Sequence, residues 1–237
     1  MPLEKTPPPQ WLTISWLKSV LAAGATASET EIATAGEALL EKWEAPERHY
    51  HNVKHLVDVL TRVDELAEEA HEPDLVRLAA WFHGAMFSAE RRVAYAKQGG
   101  ENEAASAQYA REVLTSLGVP TRNADRVAFL VTALVRHKPE NGDSDCAVLC
   151  DADLAILASE PQKYIAYVQN IRAEYAHIPP IDYLQARAAI LSKLLAREKL
   201  FFSPLARNWD TAARQNLEAE KARLDKEIKS QLQENTE

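Results

Sequence analysis

The segment "RHYHNVKH", residues 48 to 55, holds three histidines and runs straight into an amphipathic stretch. His55 precedes Val59 and Val63 by four and eight positions, so on a helix it borders the buried face. His83 lies in "LVRLAAWFHGAMF", the most apolar run of the chain, and Asp153 lies in "LCDADLAIL". A carboxylate inside such a run needs a partner, because an unpaired buried charge is costly. Two inward imidazoles and one inward carboxylate, from three separate helices, form a donor set that suits zinc or a harder divalent cation. The alternative is that each histidine is neutral and hydrogen-bonded within the core. Three such residues in three apolar segments favour the metal.

The elements that must position these groups are helical. Apolar residues recur three and four apart, strict alternation is scarce, and only seven glycines punctuate the chain. The expected fold class is all-α, a single helical bundle. Residues 1–10 read as a proline-rich, disordered tail, and 11–237 as one helical domain without repeat or linker. "WLTISWLKSVLAA" and "ETEIATAGEALLEKW" open the bundle, and Pro46 breaks the chain after them. Asn52 caps a helix that buries Leu56, Val59, Leu60, Val63 and Leu66. Glu72-Pro73-Asp74 starts a central helix carrying His83, and "KQGGEN" is a loop. "EAASAQYAREVLTSLG" is a helix closed by Gly118, and "ADRVAFLVTALVRH" is a helix ending at His137. "CAVLCDADLAILA" follows the loop "KPENGDSD", and three further helical stretches fill 160 to 233.

Bulk composition narrows the function. A net charge of −8 with pI near 5.5 argues against a nucleic-acid or anionic-membrane surface. Cys146 and Cys150 are too few for a disulfide framework and read as buried thiols in a reducing compartment. No run reaches membrane-spanning length, so a cytoplasmic location is expected. There is no phosphate-binding glycine loop, no dinucleotide fingerprint and no serine-nucleophile elbow.

The order His, then His plus its neighbour, then Asp resembles the HD-domain superfamily of metal-dependent phosphohydrolases. More narrowly, "RHYHNVKH", "AAWFHGAMF", "ENEAASA", "DADLAIL" and "YLQARAAILSKLLAR" are similar, in this order, to a bacterial family of HD-superfamily phosphohydrolases. The likeness covers about residues 11 to 220. It implies an HD-like helical domain and a divalent metal ion, of the manganese, zinc, iron or magnesium kind. It implies metal ligands at His55, His83 and Asp153, with Asp151 as the competing aspartate that should point elsewhere on a helix. "YHNVKH" also resembles the matching stretch of cyclic-nucleotide phosphodiesterases, which implies that His51 is a proton donor. Glu103 matches the family's Asn-Glu-x-x-Ser-Ala element as a second catalytic candidate, although an acid in a first helical turn also suits the helix dipole. His137 is a candidate extra ligand. For substrate binding, Arg48 and Arg187 offer guanidinium forks that fit phosphate oxygens. Arg187 matches the family's Tyr-x-x-Gly-Arg element. Lys138 reads as surface charge.

One departure matters. The aspartate of the His-Asp pair is replaced by Gly84. In the family that aspartate is a ligand, so its loss removes a negative charge. A glycine in a helix interior costs about 1 kcal/mol relative to alanine, which points to close packing there. The function implied is hydrolysis of a small phosphorylated metabolite or nucleotide, with a metal-activated water as nucleophile. The alternative is a catalytically silent HD-like domain that binds a nucleotide or a protein partner. That reading expects Gly84→Asp to raise metal affinity.

Overall fold

The computed structural model describes residues 9–90, 100–140 and 142–234. The proposed tail, apart from its last two residues, lies outside the described residues. Among them are ten α-helices and one two-stranded ladder. Helices α1 (Gln10–Ala22) and α2 (Glu29–Trp43) form the opening pair. The Ser28 hydroxyl accepts from the Glu31 amide, and the Glu31 carboxylate accepts from the Ser28 amide, a reciprocal cap that fixes the start of α2. Helix α3 (Val53–Glu65) is capped by Asn52, whose side chain accepts from the Lys54 amide at 2.9 Å. Leu56, Val59, Leu60 and Val63 form its buried face, as their spacing predicts.

Helix α4 (Pro73–Phe82) is the centre of the bundle. It packs against α1, α3, α5 (Glu103–Ser116), α6 (Thr121–Ala133) and α7 (Ser144–Leu154). Its residues from Leu75 to Phe82 are buried except Arg77, which explains an almost uninterrupted apolar sequence. The helix stops at Phe82, so His83 is its C-cap and Gly84 lies beyond it. The helix-interior penalty expected for Gly84 therefore does not apply. The chain then enters strand β1 (Phe87–Ser88), which pairs antiparallel with β2 (Gly100–Glu101). Glu101 sits directly opposite Phe87. The end of the segment read as the loop "KQGGEN" is thus half of a ladder, too short to show alternation in sequence.

Helix α6 ends at Ala133, four residues short of His137, which is not a helix-terminal residue. A single 3₁₀ turn, Ala155–Ala158, extends α7. Helices α8 (Pro161–Glu174), α9 (Pro180–Leu195) and α10 (Trp209–Glu234) complete the chain. Nearly all the buried apolar residues from Leu12 to Leu224 form one cluster. No helix among the described residues is long and apolar enough to cross a membrane.

Candidate metal centre

The end of α4, the start of α3, the end of α7 and strand β2 meet at one point. His55, third residue of α3, and His83 are both buried, with their Nε2 atoms 3.2 Å apart. His83 Nδ1 donates to the Ala80 carbonyl at 2.6 Å. A carbonyl only accepts, so Nδ1 carries a proton, and Nε2 is the nitrogen left to offer a lone pair to a metal. Asp153 Oδ1 lies 3.3 Å from His55 Nε2 and 3.6 Å from His83 Nε2. Its other oxygen, Oδ2, accepts from His137 Nε2 at 2.6 Å. Burial alone would raise the Asp153 carboxyl, but hydrogen bonds from His137 and His55 hold it well below the usual carboxylate range. Burial lowers the His55 pKa against the pull of Asp153, which favours the neutral, ligating form of the ring.

A fourth group, not anticipated as a ligand, completes the cluster. Glu101 Oε1 lies 3.5 Å from His83 Nε2, and single donor atoms of His55, His83 and Glu101 all fall within 4.8 Å of one another. Glu101 Oε1 is buried and, among the described residues, accepts no hydrogen bond. A buried anionic oxygen without a donor is expensive. Two imidazole nitrogens and two carboxylates facing one point, one carboxylate oxygen without a donor among the described residues, fit a divalent cation once the His55 Nε2 proton is displaced.

Gly84 is shaped by the same neighbours. A Cβ added there would lie 2.2 Å from Cη2 of Trp43 and 2.7 Å from Glu101 Oε1. A side chain at 84 forces Trp43 and Glu101 to shift, which counts against the expectation that Gly84→Asp would raise metal affinity. The Trp43 indole is fully buried and donates to the Trp81 carbonyl at 3.0 Å, with its ring 5.2 Å from that of His83.

His51 is at the rim, with its ring 5.6 Å from that of His55 and 5.0 Å from that of Phe87. Its Nδ1 pairs with Glu174 Oε2 at 2.8 Å, and Glu174 Oε1 accepts from the amides of Tyr50 and His51 at 2.7 and 2.8 Å. Burial acts to lower the His51 pKa. The hydrogen bond to Glu174, with the charges of Glu101, Glu174 and Asp153, outweighs it and raises the value. Glu174 was missed in sequence, yet it left a signal: an acid in the last turn of α8 opposes the helix dipole and implies a local partner.

His137 is the only described non-glycine residue with positive φ, at 42°. Arg197 clasps that turn, donating to the carbonyls of His137 and Arg136 at 3.3 and 2.9 Å. Backbone held in a sparsely populated region, with its imidazole on a buried carboxylate, is the kind of strain that collects at functional sites. Glu103, at the first position of α5, is partly buried at the edge of the cluster. Burial raises its carboxyl, and the charges of Glu101 and Asp153 add to that while His137 opposes it.

Asp151 faces away, as its spacing predicts. It accepts from the amides of Phe202 and Ser203, at 2.9 and 2.6 Å, and burial pushes its carboxyl up to about 6. The two arginines expected to grip phosphate are both committed within the protein. Arg48 is buried between Trp43 and Phe87 and donates to the carbonyls of His51 and Gly84 at 3.0 and 2.8 Å. Arg187 forms a two-pronged buried pair with Glu220, at 2.8 and 3.0 Å, and donates to Tyr167. Tyr167 and Tyr50 stand in a chain of ring contacts between Arg187 and His55. Lys138, His49, His71 and His177 are exposed, away from these contacts. Comparison of the chain with models of protein families, with curated proteins and with solved structures finds no significant match.

Proposed function

We propose that the protein is a metal-dependent phosphohydrolase of the HD type, acting on a small phosphorylated metabolite or nucleotide. One observation carries the reading: donor atoms from position 55 in α3, position 83 at the C-cap of α4 and position 153 in α7 converge at 3.2 to 3.6 Å. A manganese, zinc, iron or magnesium ion bound there supplies Lewis acidity, acidifying water and offsetting charge on phosphoryl oxygens. His55, His83 and Asp153 would hold it, and His137 orients Asp153 through Oδ2.

The chain's own proton chemistry centres on His51. Glu174 fixes the ring through Nδ1 and raises its pKa, which favours the form carrying a second ring proton at Nε2. That proton passes to the leaving alcohol oxygen of a phosphate ester, while Glu174 keeps the ring oriented throughout. The internal commitment of Arg48 and Arg187 leaves phosphate charge to be met by the cation and by His51. The silent-domain reading drew its support from the carboxylate missing at 84, and Glu101 beside His83 weakens that support.

The test is metal content of the full chain after supplementation with each of the four metals, followed by phosphate release from a panel of nucleotides and phosphate esters. Stoichiometric metal, with release abolished by His83→Ala and by His51→Ala, is the expected result. Absence of stoichiometric binding for every metal refutes the reading.

A further inference from the structure

The carboxylate that Gly84 lacks has a substitute within contact range. We infer that Glu101 is a ligand of the metal centre, taking from strand β2 the place of the aspartate missing at position 84, with Gly84 kept side-chain-free to admit it. This rests on the metal-centre reading above and adds a fourth donor to it.

Three observations carry it. Glu101 Oε1 is the one carboxylate oxygen among the described residues that is buried and has no hydrogen-bond donor, and it faces His83 Nε2 at 3.5 Å. A Cβ at 84 would stand 2.7 Å from that same oxygen, so the Glu101 carboxylate fills the space a side chain at 84 would enter. The backbone holds Glu101 there deliberately. Phe87 and Glu101 are register partners, the Asn102 amide donates to Met86 O at 2.8 Å, and the Met86 amide donates to Ser106 Oγ at 3.0 Å. These bonds tie β2 to the chain just after Gly84 and to α5. A carboxylate oxygen buried without a donor beside an imidazole nitrogen is matched by a cation.

The ladder also explains why the substitution needs no neighbouring residue. Residues 84 and 101 are far apart in sequence, but pairing of β1 with β2 brings them side by side. The donor set becomes two imidazoles and two carboxylates, with no overall charge alongside a divalent ion. Bound metal then links α3, α4, α7 and the ladder, and the amides of Met86 and Asn102 gain protection.

Titrate the full chain with Mn²⁺ and with Zn²⁺ by calorimetry, comparing it with His83→Ala, Glu101→Gln and Glu101→Ala, each checked for helical content by circular dichroism. Hydrogen exchange at Met86 and Asn102 is followed with and without Zn²⁺. The expected result is that His83→Ala abolishes binding, and each Glu101 variant weakens it by roughly tenfold or more, with the Zn²⁺-dependent protection lost. Binding that disappears in His83→Ala but stays within twofold in both Glu101 variants overturns the role of Glu101 and leaves the metal centre standing. Should one Glu101 variant fail to fold, the other decides. No binding by the unaltered chain overturns both.

Discussion

Replacing Gly84 by alanine sets two effects against each other. Gly84 has no left-handed φ, so alanine is conformationally acceptable and should stabilise by about 0.4–1 kcal/mol through the unfolded chain. Against this, the new methyl would sit 2.2 Å from Trp43 Cη2 and 2.7 Å from Cζ3, far inside contact distance. Trp43 cannot easily move, because it is fully buried and its Nε1 is bonded to the Trp81 carbonyl. Overpacking a filled core costs about 1–3 kcal/mol, so the clash wins and the net loss is about 1–2 kcal/mol. For a chain of this length each kcal/mol lowers Tm by about 2–4 °C. Urea unfolding of Gly84→Ala, Trp43→Phe and the double variant measures the effect directly. Phenylalanine lacks the far ring of the indole, so Gly84→Ala should cost at least about 1 kcal/mol less in the Trp43→Phe background. A Gly84→Ala chain as stable as the parent, or a cycle with no coupling, refutes the claim that Trp43 dictates glycine here.

Glu174→Gln should lower the His51 pKa, and imidazole titration by NMR reads this. Because the folded value is raised, the pair's stabilisation is complete below the ordinary histidine pKa near 6.5 and fades as pH climbs through the folded value. Arg187→Met should destabilise by about 3–5 kcal/mol, since it leaves Glu220 buried and unpaired, yet should leave Mn²⁺ affinity unchanged. A variant that instead stays stable and loses substrate affinity would restore Arg187 to the phosphate site. Arg126 donates to both oxygens of Asp143, the cap of α7, at 2.9 and 2.7 Å, and this hydrogen bonding lowers the Asp143 carboxyl. That contribution is present above the ordinary aspartate pKa near 3.9 and is lost as pH falls through the folded value. Arg126→Met should therefore unfold at a higher pH in an acid titration followed by circular dichroism, and an unchanged midpoint would count against it.

Much of the bundle was legible because helices declare themselves locally. The periodicity of Leu56, Val59, Leu60 and Val63 and the cap at Asn52 needed no knowledge of the rest of the chain. The inward placement of His55, His83 and Asp153 followed from the same periodicity, and so did the different direction of Asp151, which is buried against the amides of Phe202 and Ser203 instead of facing the histidines. What escaped was set by tertiary pairing. Glu101 becomes a candidate ligand only because two short strands meet, and two-residue strands carry no readable pattern. Glu174 reaches His51 across more than a hundred positions. Arg48 and Arg187 have the right chemistry for phosphate, but their carbonyl and carboxylate partners lie in segments whose proximity no local rule encodes.

Helix α7 is gripped from opposite sides. Asp153 is held by His137 and His55, and Asp151 by the amides of Phe202 and Ser203. The segment around 202 thus acts as a rear buttress, setting the rotation of α7 about its axis and with it the aim of Asp153. Trimming the chain before residue 200 in search of a minimal fragment would strip Asp151 of its donors and let that axis roll. Helical content could then survive while the geometry that gathers the ligands is lost.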